Sequence, residues 1–79
     1  SMGSCTTAGR VGILHKNVSG MISQYSTTLG DAGLNIAGMA NKSKGEYAYA
    51  LIDVDSPLTD EVIERLKAIE GVLKVRRVK

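Results

Sequence analysis

The chain predicts an α+β sandwich: a four-stranded antiparallel sheet with two helices on one face, in the ferredoxin-like order strand, helix, strand, strand, helix, strand. Three observations carry this. Four stretches, 10–16, 34–42, 46–54 and 72–78, are apolar at strand spacing, two stretches between them repeat at helical spacing, and the whole fits into 70 residues, the length of a split βαβ unit. Right-handed crossovers then place both helices on the same face of the sheet.

The first strand spans 10–16, with Val11 and Ile13 on one face and Gly12 and Leu14 on the other. From Gly20 to Ala32 the period changes: Ile22, Tyr25, Leu29 and Ala32 form an apolar stripe, Ser23, Gln24 and Thr28 take the wet side, Ser19 is the expected N-cap and Gly33 the expected C′ residue. Gly30, unfavourable inside a helix by about 1 kcal/mol relative to Ala, implies a close contact or an early end. The second strand, 34–42, sets Leu34, Ile36, Gly38 and Ala40 against Asn35, Ala37, Met39 and Asn41, and its polarity marks a sheet edge.

Asn41 to Gly45 reads as the turn of a hairpin into the strand 46–54, where Ala48, Ala50, Ile52 and Val54 share one face and Tyr47, Tyr49, Leu51 and Asp53 the other. After Asp55, either Ser56 with Pro57 at N1 or Thr59 caps the second helix. Asp60 and Glu61 fall in the first turn, where the helix dipole favours them. Val62, Ile63, Leu66 and Ile69 are its buried stripe, Gly71 ends it, and 72–78 is the last strand, with Leu73 and Val75 on one side and Lys74 and Arg76 on the other. The sheet face away from the helices then displays Leu14, Met39, Tyr49 and Leu51, more apolar surface than a lone domain leaves wet, so a second subunit or domain is expected there.

At 79 residues and 43% hydrophobic, the chain is one domain near the size where burial alone stabilises marginally. Ser1 to Gly9 is small and polar, opens like a cloning scar, and is set aside as a tag or linker remnant ahead of a domain spanning 10–79. Ten basic against eight acidic residues, net +2, are too balanced to argue for nucleic acid or membrane, although Lys74, Arg76, Arg77 and Lys79 cluster at the end. No apolar run approaches the roughly 18 residues of a membrane span. The single cysteine, Cys5, rules out an internal disulfide or a cysteine-built metal site, and a reducing cytoplasm is the natural compartment.

Catalysis finds no support: no cysteine or histidine stands beside a partner base, no glycine-rich loop suits a phosphate, and no acid pair is brought together for chemistry or metal. Asp53 and Asp55 share a face only at the end of their strand. The run Lys44-Gly45-Glu46-Tyr47-Ala48-Tyr49 resembles the aromatic signature of RNA-recognition motifs, but it needs Glu46 as an insertion. The first strand offers no second aromatic.

The candidate site is the elbow where the first strand breaks into the first helix. His15 is the only histidine, Asn17 follows by two, and Ser19, Gly20 and Met21 open a helix with free backbone amides. A similarly built phrase, Gly33-Leu34-Asn35-Ile36, supplies Asn35. His15 and the two asparagines also have structural readings, as a strand-end group satisfying a carbonyl and as turn formers.

These phrases, His15-Lys16-Asn17-Val18-Ser19-Gly20-Met21, Gly33-Leu34-Asn35-Ile36-Ala37, Asn41 to Tyr47 and Ala68-Ile69-Glu70-Gly71-Val72, together resemble ACT domains, most closely the C-terminal regulatory domains of the D-3-phosphoglycerate dehydrogenase family. Many ACT elbows carry proline where this chain has Ser19. The resemblance implies a non-catalytic module that binds L-serine or another small amino acid. It further implies a homodimer through edge strands and feedback inhibition of attached catalytic domains, which in that family use NAD; no cofactor is implied for the module itself. It assigns His15 and Asn17 from one subunit and Asn35 from the other to the ligand; by their place at a helix start, the amides of Ser19, Gly20 and Met21 can donate to its carboxylate. An ACT domain of another amino-acid enzyme, such as L-serine dehydratase, or one that only assembles subunits, fits the same phrases.

Overall fold

The structure, a computed structural model, describes residues 3–79. Its elements are β1 (Gly9–Lys16), α1 (Met21–Asp31), β2 (Ile36–Lys44), β3 (Tyr47–Val54), α2 (Asp60–Lys67) and β4 (Val72–Arg77). They form the predicted sandwich: an antiparallel sheet in the order β2-β3-β1-β4, with both helices over the face that carries Val11, Ile13, Ala50, Ile52 and Val54. Tyr25 and Leu29 of α1 and Leu66 of α2 are fully buried against that face, and side chains of this size stabilise by roughly 1.5–3 kcal/mol each when taken out of water.

The end of α1 follows the sequence closely. Gly33 adopts φ 79° at C′, Leu34 N–H donates to Leu29 O at 2.9 Å and Gly33 N–H to Gly30 O at 2.9 Å. This is a Schellman ending, completed by the apolar contact of Leu34 with the core. Thr59, not Ser56, caps α2, its hydroxyl accepting from Val62 N–H at 3.2 Å.

Several expectations are corrected. Helix α1 starts at Met21, and its cap is Gly20 in the left-handed region (φ 85°) rather than Ser19, whose side chain makes no cap bond. Starting there turns Met21 into the core and leaves Ile22 46% exposed. Gly30 meets no close neighbour, and the helix runs one residue past it. Strand β2 is displaced to Ile36–Lys44 and carries a bulge at Ala37, with Ile36 opposite Val54 but Gly38 opposite Asp53.

One extra residue reverses the alternation beyond it. Met39 therefore stands opposite Ile52 on the core side, and Ala40 takes its expected place on the open face beside Leu51. The turn is also tighter than expected. Asn41 to Lys44 remain in the strand, and only Gly45 and Glu46 link it to β3, Gly45 taking the φ of 61° that the first position of a type II′ turn requires. A second irregularity, at Leu73 in β4, puts Val72 rather than Leu73 with Val75 against the core. Leu73 is left 49% exposed.

On the open face, Gly3 to Ala8 lie against the end of the sheet. Arg10 and Asp53, cross-strand partners there, are 7% exposed each and form a two-pronged pair, Nε to Oδ1 and Nη2 to Oδ2, while Arg10 Nη1 donates to Gly3 O at 2.7 Å. Arg10 pulls the Asp53 carboxyl below its ordinary range, chiefly through these hydrogen bonds. Further along, Leu14 and Leu51 are half-buried and Tyr47 and Tyr49 are 51% and 40% exposed.

Candidate functional site

The elbow is held at the tip of the hairpin. Lys16 N–H donates to Gly71 O at 2.8 Å, Asn17 N–H to Glu46 O at 2.8 Å, and the Asn17 side-chain amide to Gly45 O at 3.1 Å. The first bond ties the end of β1 to the residue before β4, the two Asn17 bonds tie the elbow to the β2–β3 turn, and a shallow pocket of about 270 Å³ opens there between Lys16, Asn17, Val18, Glu46 and Tyr47. Because the Asn17 amide nitrogen is engaged, its carboxamide oxygen is the group left to accept.

His15 faces the helices, opposite Ala48, and is 2% exposed. Its Nδ1 lies 2.8 Å from Lys16 O; a carbonyl only accepts, so Nδ1 donates, and in the neutral ring that leaves Nε2 as the acceptor. The ring meets Tyr25 edge-on at 5.4 Å and 74°. His15 Nε2 and the Tyr25 hydroxyl are buried without a hydrogen-bond partner among the described residues. Burial pushes the Tyr25 hydroxyl up to about 12.

Beyond the elbow, α1 begins with Gly20, no capping side chain and no acid in its first turn. The amides of Met21, Ile22 and Ser23 therefore lack helical acceptors, and their partial positive charge favours an anion. Ser19 is exposed.

Asn35 is at the far end of the sheet. The register sets Ile36 beside Val54 and Gly9, six β1 residues before His15, or about 20 Å at 3.3 Å per residue. Within one chain the elbow and Asn35 therefore do not meet. Asn35 is clasped to Asp55: its N–H donates to Oδ1 at 3.1 Å and its side-chain amide to Oδ2 at 3.1 Å, while Asp55 N–H returns a bond to Asn35 O at 3.1 Å. These donors hold the Asp55 carboxyl below its ordinary range, the Asn35 backbone amide first. In the sequence Asp55 reads only as an acid at the end of its strand. Counting back from the two-residue turn alone would set Asn35 against Ser56; the bulge at Ala37 shifts the register by one residue and brings Asn35 out beside Asp55.

Among the described residues no group of three or more His, Cys, Asp or Glu side chains is arranged to hold a metal ion, and no helix is long and apolar enough to cross a membrane.

This sheet order, with both helices on one face, is the fold of solved ACT domains. The crystal structure of the ACT domain from GTP pyrophosphokinase of Chlorobium tepidum superposes with a TM-score of 0.73 at 19% identity, covering 89% of this chain and 95% of that one. In sequence the chain is similar to D-3-phosphoglycerate dehydrogenases. The protein of Methanocaldococcus jannaschii is 37% identical over 65 residues, 80% of this chain and 12% of that protein. That of Archaeoglobus fulgidus is 33% identical over 64 residues, 76% and 12%, and that of Escherichia coli 25% over 65 residues, 80% and 16%. The chain thus spans less than a fifth of the length of these relatives. No protein-family model matches it.

Proposed function

We propose that residues 10–79 are the regulatory, amino-acid-binding module of a cytoplasmic D-3-phosphoglycerate dehydrogenase, with 1–9 a tag or linker remnant, and that L-serine bound between two copies exerts feedback inhibition. The reading is supported by the sequence similarity and, above all, by one observation: Asn17 is bonded to the β2–β3 turn, so the elbow reaches the hairpin tip next to the Lys44 end of the edge strand β2. Two β2 edges paired antiparallel about a two-fold axis would set the Ile36 end of one strand beside the Lys44 end of the other. Asn35 of one copy then approaches the elbow of its partner.

In that arrangement the free amides of Met21 to Ser23 suit the serine carboxylate, the free oxygens of Asn17 and Asn35 suit its ammonium, and His15 Nε2 accepts from its hydroxyl after a small movement of the ring. Binding across the interface favours one arrangement of the pair. Linkage passes that preference to the attached catalytic domains, typically by about 1–3 kcal/mol. The nicotinamide cofactor belongs to those domains.

Calorimetric titration with L-serine tests the reading, with binding expected for the chain and lost in His15→Ala with Asn35→Ala. Binding that persists in that double variant would eliminate this site. A serine response that survives in a strictly monomeric variant would eliminate bridging.

A further inference from the structure

We infer that Asp55 is the residue that makes this site select an amino acid over the corresponding hydroxy acid, an inference that rests on the reading above. The sequence phrases point to Asn35 alone; the structure shows that Asn35 does not act by itself.

Asp55 is exposed, and none of the ion pairs among the described residues includes it. Its negative charge is therefore fixed but not neutralised by a neighbouring cation. Three donors orient it: Asn35 N–H, the Asn35 side-chain amide, and the Ser56 hydroxyl at 3.4 Å from Oδ1. A carboxylate offers about four lone-pair positions, so one or more is left over. Those same bonds settle the Asn35 carboxamide, whose nitrogen faces Asp55 and whose oxygen is free.

The clasp thus presents two adjacent acceptors carrying one net negative charge. With the free oxygen of Asn17 from the elbow of the other copy, the count is three acceptors. An ammonium has three N–H donors and a positive charge. The hydroxyl of an α-hydroxy acid has one donor and no charge, and it leaves the carboxylate without a counter-charge. Charge-assisted hydrogen bonds are roughly twice as strong as neutral ones, so the clasp discriminates through the amino group and is indifferent to the ligand's side chain.

The test titrates this chain, its Asp55→Asn variant and its Asp55→Glu variant with L-serine and with L-glycerate, in which a hydroxyl replaces the ammonium. Thermal melting confirms that each variant is folded. The chain is expected to prefer L-serine over L-glycerate by about tenfold or more. Asp55→Asn should weaken L-serine by about tenfold while leaving L-glycerate unchanged, collapsing the preference, and Asp55→Glu should keep part of it. Equal weakening of both ligands would overturn the inference, reducing Asp55 to a support for Asn35, and so would an unchanged ratio. If the unaltered chain binds neither ligand, the serine reading itself falls, and this inference with it.

Discussion

Tyr49 leans across Gly12. Although Leu14 is its register partner, its ring reaches along the sheet until the hydroxyl occupies the space that a Cβ on Gly12 would need. A side chain at 12 must therefore displace a tyrosine that is 40% exposed and free to swing outward. Gly12→Val should cost about 1–3 kcal/mol, measured by urea unfolding. The cost should shrink when Tyr49 is replaced by alanine. Strict additivity of the two substitutions would show that Tyr49 is not the obstacle.

Gly30 presents the opposite case. It lies inside α1 with a negative φ, and a Cβ there meets nothing within 4 Å. Gly30→Ala should raise stability by roughly 0.5–1 kcal/mol, because alanine loses less backbone freedom on folding. A rise in melting temperature of about 2–8 °C is the expected reading.

Tyr25 is wholly buried, its hydroxyl has no partner among the described residues, and its ionisation is pushed from 10.0 to about 12. An acid whose folded value is raised keeps its proton longer in the folded state. The unfolded chain ionises first, so stability is lost as pH rises from 10.0 towards 12. Tyr25→Phe should remove that alkaline slope and leave neutral-pH stability equal or higher, since an unsatisfied polar group leaves the core. A substantial loss at pH 7 would reveal a hydrogen bond that the hydroxyl makes in solution.

Acid acts through the other sign. Asp53 is lowered by Arg10, and Asp55 by the two amides of Asn35. Their contribution to stability is complete above the ordinary value of 3.8 and is lost as pH falls through the lower folded values. Asp53→Asn should lower stability at neutral pH, where it leaves the Arg10 charge unpaired, and should flatten the acid limb. Asp55→Asn should flatten the limb further. Acid titrations followed by circular dichroism separate the two.

Fold class, element order and the edge position of β2 were readable because they rest on periodicity, which survives small errors of phase. The side-chain directions on β2 were not. A single bulge at Ala37, with no glycine or proline at that position to announce it, carries Met39 into the core. The start of α1 was misread for a related reason: Ser19 is the better capping residue by propensity, but the left-handed turn at Gly20 places the cap one residue later and brings Met21 against Gly71. At the site, His15 and the asparagines stood out as rare polar residues in apolar phrases. Asp55 did not, because its meaning depends on a hairpin register set jointly by the two-residue turn at Gly45 and Glu46 and by the bulge at Ala37.

Strand β1 has a consequence as a mechanical part. It is paired on both sides, to β3 and to β4, and it runs from the Arg10 cluster, where Gly3 to Ala8 are anchored, to the His15 elbow. A pull on the chain before residue 9 would load two hydrogen-bonded ladders in shear rather than peel one away. The same stiffness works in reverse. A shift of the elbow would reach the opposite end of the sheet through one covalent strand.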